Sequence, residues 1–142
     1  MRIQTSIDID APAERVWATL VDFASYEAWN PFVIRVRGAP IVGEPVRLTV
    51  KFGGRKMGRT HVVSRVEPDT TLAWTIETQA PWWIHGERIQ RVEPLGPDRC
   101  RYTNDEQVHG VMGVIVGPLM GATVRAGLEA AGRGLKARCE RA

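Results

Sequence analysis

The sequence predicts an α+β fold in which a seven-stranded antiparallel sheet curves around a long C-terminal helix, with two short helices after the first strand. Three observations predict it. Apolar and polar residues alternate from Arg2 to Asp10 and again in six runs after Pro31. Separators rich in Gly, Pro and Asp divide those six runs, which is turn chemistry between strands of similar length. Beyond Gly110 the apolar spacing changes to steps of three and four, the helical period.

The elements follow in order. Ile3, Thr5, Ile7 and Ile9 share one face of Arg2–Asp10, opposite Arg2, Gln4, Ser6, Asp8 and Asp10, so this run is a half-buried strand. Asp10-Ala11-Pro12 stops it. Asp10 is placed to accept from free helix N–H groups, and Pro12 suits a first helical turn. Ala13, Val16, Trp17, Leu20 and Val21 then form the apolar stripe of a short helix. Asp22 is placed to cap a second, Phe23–Trp29, which Asn30-Pro31 ends because a residue before proline avoids the helical region. The predicted strands are Phe32–Arg37, Pro45–Phe52, Met57–Val66, Thr71–Thr78, Trp83–Val92 and Cys100–His109. Leu119, Met120, Thr123, Val124, Leu128, Ala131 and Leu135 repeat at helical spacing, which predicts a helix over Pro118–Glu140, roughly 35 Å long at 1.5 Å per residue. Gly121, Gly127, Gly132 and Gly134 are costly inside it, so they mark close approach or bending.

Such a sheet buries one face only if something covers it, and the terminal helix is the element large enough. A curved sheet around one helix leaves a cavity where the lining side chains do not meet, and small ligands bind in such spaces.

Composition narrows the function. At 142 residues, 44% hydrophobic and 25% charged, the chain is one domain able to bury a core without a disulfide or metal staple. The +3 charge is scattered, with Lys only at 51, 56 and 136, and forms no stripe, so nucleic acid is not an expected partner. Cys100 and Cys139 lie far apart, and His61, His85 and His109 lack ligand spacing. Reduced thiols in a cytoplasmic protein, with no metal and no cofactor, are the expectation. There is no signal-peptide pattern. The longest apolar stretch, Val111–Val124, is broken by glycines and Pro118 and is too short for the roughly 20 residues of a spanning helix. The Arg-rich bias points to a GC-rich bacterial source.

Strand parity supplies the candidate site. Cys100, Tyr102, Asn104, Glu106 and Val108 form the more apolar face of their strand and are placed inward. On the preceding strand Trp82, Ile84, Gly86, Arg88, Gln90 and Val92 share the less charged face, and before that Leu72, Trp74, Ile76 and Thr78 face in. The predicted pocket is mostly apolar, with Arg88, Gln90, Tyr102, Asn104 and Glu106 as its polar groups. A Glu buried alone would take up a proton, so Arg88 is the natural partner of Glu106; the same pair could also only fix register. Trp29, Trp74 and Trp82 are candidates to stack on a flat ligand or to pack. Trp82-Trp83 follows Ala80-Pro81, which puts one of the two at an entrance. Met57, Met112 and Met120 suit an adaptable wall or core filling. His61 lies on a strand of undetermined parity, and His109 on an outer face. No nucleophile–base pair, metal cluster or phosphate loop is visible, so catalytic residues stay unassigned.

The sequence also resembles a known family. Ile7-Asp8-Ile9-Asp10-Ala11-Pro12-Ala13-Glu14-Arg15-Val16-Trp17, Tyr26-Glu27-Ala28-Trp29-Asn30-Pro31-Phe32, and Val66-Glu67-Pro68 with Leu72-Ala73-Trp74 are similar to the opening, second helix and central hairpin of the START-like (SRPBCC, Bet v 1-like) superfamily. Val92-Glu93-Pro94-Leu95, Glu106-Gln107-Val108-His109-Gly110 and Leu135-Lys136-Ala137-Arg138-Cys139-Glu140 resemble its last strands and terminal helix. The resemblance covers nearly the whole chain, is closest to the small bacterial polyketide cyclase/dehydrase-like members, and implies a helix-grip fold. One fold hosting many activities leaves function to the site. The first expectation is binding of a hydrophobic small molecule of lipid, polyketide or isoprenoid type between sheet and C-terminal helix. The alternatives are a cyclase or dehydratase in which Arg88, Glu106, Tyr102 or His61 moves protons, and a protein-interaction module built on the Trp82-Trp83 rim.

Overall fold

The N-terminal alternation folds as strand β1, Arg2–Ile9, and the stripe after Pro12 as helix α1, Ala13–Val21. A single turn of 3-10 helix at Phe23–Ser25 leads into α2, Tyr26–Trp29. Six strands follow, β2 (Val33–Arg37), β3 (Pro45–Phe52), β4 (Arg55–Glu67), β5 (Thr71–Ile76), β6 (His85–Gly96) and β7 (Arg99–His109), and then α3, Val111–Glu140. These come from a computed structural model that describes residues 1–141. The sheet order is β1-β7-β6-β5-β4-β3-β2, with every neighbouring pair antiparallel. This is the helix-grip architecture.

Four local expectations are corrected. Neither Asp10 nor Asp22 caps a helix with its side chain. Pro12 occupies the N-cap position of α1 in extended conformation, so its carbonyl accepts from Arg15 and Val16 while Asp10 faces Arg99. Asp22 serves the next turn through its backbone carbonyl, which accepts from the Ser25 hydroxyl and N–H. The third correction is larger: α3 begins at Val111, about two turns before Pro118. Gly110 adopts a left-handed φ of 83°, and the carbonyls of Trp82 and Trp83 accept from the N–H groups of Val111 and Met112 at 3.1 and 2.8 Å. The β5–β6 loop thereby satisfies donors that a helix start leaves free. Pro118 sits inside the helix, where it removes one N–H. For the same reason Trp83 belongs to the loop, and β6 starts at His85.

The core lies between the concave sheet face and the helices, with Leu20, Tyr26, Leu48, Leu72, Trp74, Leu128 and Leu135 almost fully buried. α3 packs mainly on β1, with β7, α1 and α2 as further partners. Two glycines permit the approach. A Cβ on Gly127 would lie 2.3 Å from the Phe32 ring, and one on Gly134 would lie 2.0 Å from the Trp29 carbonyl oxygen. Gly121 has no such neighbour, so close approach does not account for it. α3 is long and apolar enough to span a membrane by length and composition, with a mean hydropathy of 1.5 over an 18-residue window. Its second half is nonetheless held in the core through Val124, Leu128, Ala131, Leu135 and Cys139.

Candidate functional site

Antiparallel register aligns side chains into rows across the concave face, because directly opposed residues point the same way. One row runs Ile3, Glu106, Arg88, Trp74, Val63 across β1, β7, β6, β5 and β4. The adjacent row runs Thr5, Asn104, Gln90, Leu72, Val66. Beyond it lie Ile7, Tyr102 and Val92. The residues brought inward by parity on β6 and β7 therefore sit side by side, as their alternation predicts.

Arg88 and Glu106 are direct cross-strand partners, and the Arg88 Nε donates to Glu106 Oε2 at 2.5 Å. Their side chains retain only 10% and 14% exposure, so the pair is largely desolvated. The guanidinium carbon also stands 5.6 Å from the centroid of the Phe32 ring, within cation–π range. One row away, Tyr102 donates its hydroxyl proton to Gln90 Oε1 at 2.5 Å and accepts from Asn104 Nδ2 at 3.1 Å. All three side chains are buried.

That network is incomplete. Among the described residues Gln90 Nε2 and Asn104 Oδ1 have no partner, nor do Trp74 Nε1 and His61 Nδ1. His61 opposes Ile76 and Val46 on the same concave face. Burial, followed by the positive charge of Arg88, pushes its pKa down from 6.5 to about 4, so the imidazole is neutral at neutral pH. Burial likewise raises the Tyr102 phenol above its ordinary range, outweighing the opposite pull of Arg88 and Asn104. Tyr26, whose hydroxyl donates to the Leu20 carbonyl at 2.7 Å, is raised by the same cause. Both phenols therefore stay protonated at neutral pH. Cys100 and Cys139 are free and buried, and burial lifts the Cys100 thiol to about 11, so neither is a nucleophile at neutral pH.

A cleft of about 410 Å³ opens between β1 and α3. Thr5, Ile7, Tyr102, Leu128 and Gly132 line it, and Arg125, Glu129 and Arg133 stand on its helical side. Tyr102 belongs both to this cleft and to the buried network. Of the residues predicted to meet a ligand, it alone lines the cleft. Trp74 is buried and meets Phe23 edge to face. Trp29 is buried on Tyr26 and donates to Ser25 Oγ. Met112 and Met120 are half-buried on α3, Met57 is exposed, and Trp82 is 71% exposed beside Trp83. His109 lies on the outer face, stacked on His85. Residues that sequence reasoning did not assign to the site include Phe32, Thr5, Ile7 and Arg125. For Thr5 and Ile7 the signal was present in the alternation of β1, whereas nothing local marks Phe32 or Arg125.

The model of the family described as polyketide cyclase/dehydrase and lipid transport matches residues 1–140. The chain belongs to this family. Solved structures agree on the fold. The Zhui aromatase/cyclase from a Streptomyces species superimposes with a TM-score of 0.79 at 20% identity, covering 99% of this chain and 94% of that one. A START superfamily protein from Mycobacterium smegmatis gives 0.72 at 22% identity over 99% and 97% of the two chains. Norcoclaurine synthase from Thalictrum flavum, in complex with dopamine and hydroxybenzaldehyde, gives 0.72 at 14% identity over 97% and 85%. No curated protein matches the sequence. Membership of the polyketide cyclase/dehydrase and lipid transport family supports a hydrophobic ligand-binding or cyclase role.

Proposed function

We propose that the protein binds a small, predominantly apolar molecule carrying carbonyl or hydroxyl oxygen, of lipid, polyketide or isoprenoid type, between the sheet and α3. The observation that carries this reading is the set of buried polar atoms without partners, His61 Nδ1, Trp74 Nε1, Gln90 Nε2 and Asn104 Oδ1. Each such group costs about 1–3 kcal/mol while unpaired. A guest that reaches them recovers that cost, and its carbon skeleton would meet the surrounding core, to which Leu72, Val92 and Leu128 belong. The Trp74 and Gln90 donors favour acceptor oxygen over plain hydrocarbon. The cleft beside Tyr102 falls in the size range of small-molecule sites; the four atoms do not line it, and Tyr102, bonded to Gln90 and Asn104, is the residue that links it to them.

The reading is tested by displacing a fluorescent apolar probe, anilinonaphthalene sulfonate, with a hydroxylated polycyclic ketone and with a hydrocarbon of equal size. The oxygenated compound should compete about tenfold better or more, since one recovered hydrogen bond is worth about 1.4 kcal/mol. Gln90→Leu and Trp74→Phe should each reduce that preference. Equal competition by both compounds, in the parent and in the variants, overturns the reading.

One observation favours a second reading, a cyclase or dehydratase. The His61 imidazole is neutral on the same face as Arg88, so it has a nitrogen able to take a proton, as a weak base with its pKa near 4, while Arg88, paired with Glu106 through Nε, is placed to stabilise developing oxyanion charge. With a poly-carbonyl substrate, His61→Gln would then abolish turnover while weakening binding by no more than the loss of one hydrogen bond, about tenfold. Retained turnover excludes His61 as the base.

A further inference from the structure

We propose that one end of the molecule, formed by the β5–β6 loop, the tip of the β3–β4 hairpin and the first turns of α3, docks onto an anionic lipid surface. The register brings these segments to the same end. β4 begins at Arg55, six residues before His61 meets the last residue of β5, Ile76, so the β3–β4 hairpin projects past β5. His85 opposes His109, which places the β5–β6 loop at the β7–α3 junction.

Two properties coincide there. The first is exposed apolar surface on an ordered framework. Trp82 is 71% exposed, Val114 and Leu119 are each 77% exposed, and Trp83, Ile115 and Met57 are exposed as well. The Trp82 and Trp83 carbonyls hold the first N–H groups of α3, so the indoles and the helix form one unit. Residues 111–124 contain no charge. In the most apolar window of α3 only 17% of residues are buried, unlike a helix whose apolar character is accounted for by a core. Indoles and aliphatic side chains at such an edge suit the boundary between headgroups and acyl chains.

The second property is unneutralised positive charge. Lys51, Arg55, Lys56 and Arg59 are all exposed, and among the described residues none forms an ion pair. Lys51 and Lys56 are directly opposed across the strands, an arrangement of like charges that destabilises a hairpin. An anionic surface relieves that repulsion, and phosphate headgroups attract such basic side chains. An exposed apolar surface at the same end as a cationic hairpin is complementary to a membrane rather than to a purely charged polymer. The surface is separate from the buried polar network, so it stands or falls independently of the interior ligand.

The test is co-sedimentation with sucrose-loaded vesicles of phosphatidylcholine, alone and mixed with phosphatidylglycerol, together with light scattering. The protein should pellet with mixed vesicles, with a blue shift of tryptophan emission, and much less with neutral ones. Trp82→Ser/Leu119→Ser and Lys51→Gln/Lys56→Gln should each lower partition by about tenfold or more. These side chains are exposed, so both variants should keep the parent's circular dichroism and Tm, and the backbone contacts of residue 82 remain. Absence of vesicle binding, or equal binding by the parent and both variants, overturns the proposal. So does a stable dimer that Leu119→Ser dissociates, because the patch would then be an interface between copies.

Discussion

His61 makes the stability of this protein depend on pH in a window where few other groups act. Burial first, and Arg88 second, hold its imidazole near pKa 4 against an ordinary 6.5. The unfolded chain therefore binds the proton more readily than the folded one. Stability is fully present above pH 6.5 and is lost as pH falls from there toward 4. The full loss is about 3 kcal/mol, of which about 2 kcal/mol falls between pH 7 and pH 5. Asp8, Glu27 and Glu140 are shifted down by their Arg and Lys partners, so their contribution is lost only below their ordinary values of 3.8 and 4.5. Urea denaturation at pH 7, 6 and 5 thus separates the imidazole from the carboxylates. The parent should lose about 2 kcal/mol across this range, and His61→Gln should lose clearly less. An NMR titration of the His61 ring should reach its midpoint near pH 4. Identical slopes in the two proteins, or a ring that titrates near 6.5, would refute the burial argument.

Other substitutions probe the packing. Gly127→Ala should destabilise despite the better helix propensity of alanine, because its Cβ meets the buried Phe32 ring, whereas Gly121→Ala faces open space and should gain about 1 kcal/mol; urea midpoints give both. Arg88→Met should cost about 3 kcal/mol by stranding Glu106, and Arg88→Met/Glu106→Leu should recover much of that in the same assay. Pro118→Ala restores an N–H inside α3 and should slow amide exchange across the first two turns by about tenfold or more.

Much of the site was legible because alternation is rigid on β6 and β7. Their register is unbroken from His85 to Pro94, so parity alone aligns Arg88 with Glu106 and Gln90 with Asn104. His61 was not legible in this way. β4 carries a register shift between Val63 and Arg65, and few of its residues before His61 are apolar, so neither pattern nor spacing fixed its face. The start of α3 was misread because Pro118 resembles a first-turn residue, while the cap that moves the start to Val111 comes from the Trp82 and Trp83 carbonyls, a tertiary contact. The place of Phe32 against Gly127 and Arg88 is likewise decided by how α3 lies on the sheet. The cleft between β1 and α3 depends on that docking too, so strand parity could place Tyr102 on the concave face but no local pattern could place Arg125 beside it.

The central claim is that the space between sheet and α3 receives an oxygen-bearing apolar guest. Native mass spectrometry of protein purified from its own host, followed by organic extraction and identification of any released compound, tests it most directly. The account predicts a bound molecule with an apolar skeleton and at least one carbonyl or hydroxyl, present at reduced occupancy in Gln90→Leu/Trp74→Phe. A protein that leaves its host unliganded and takes up no oxygenated apolar compound offered in excess would contradict it.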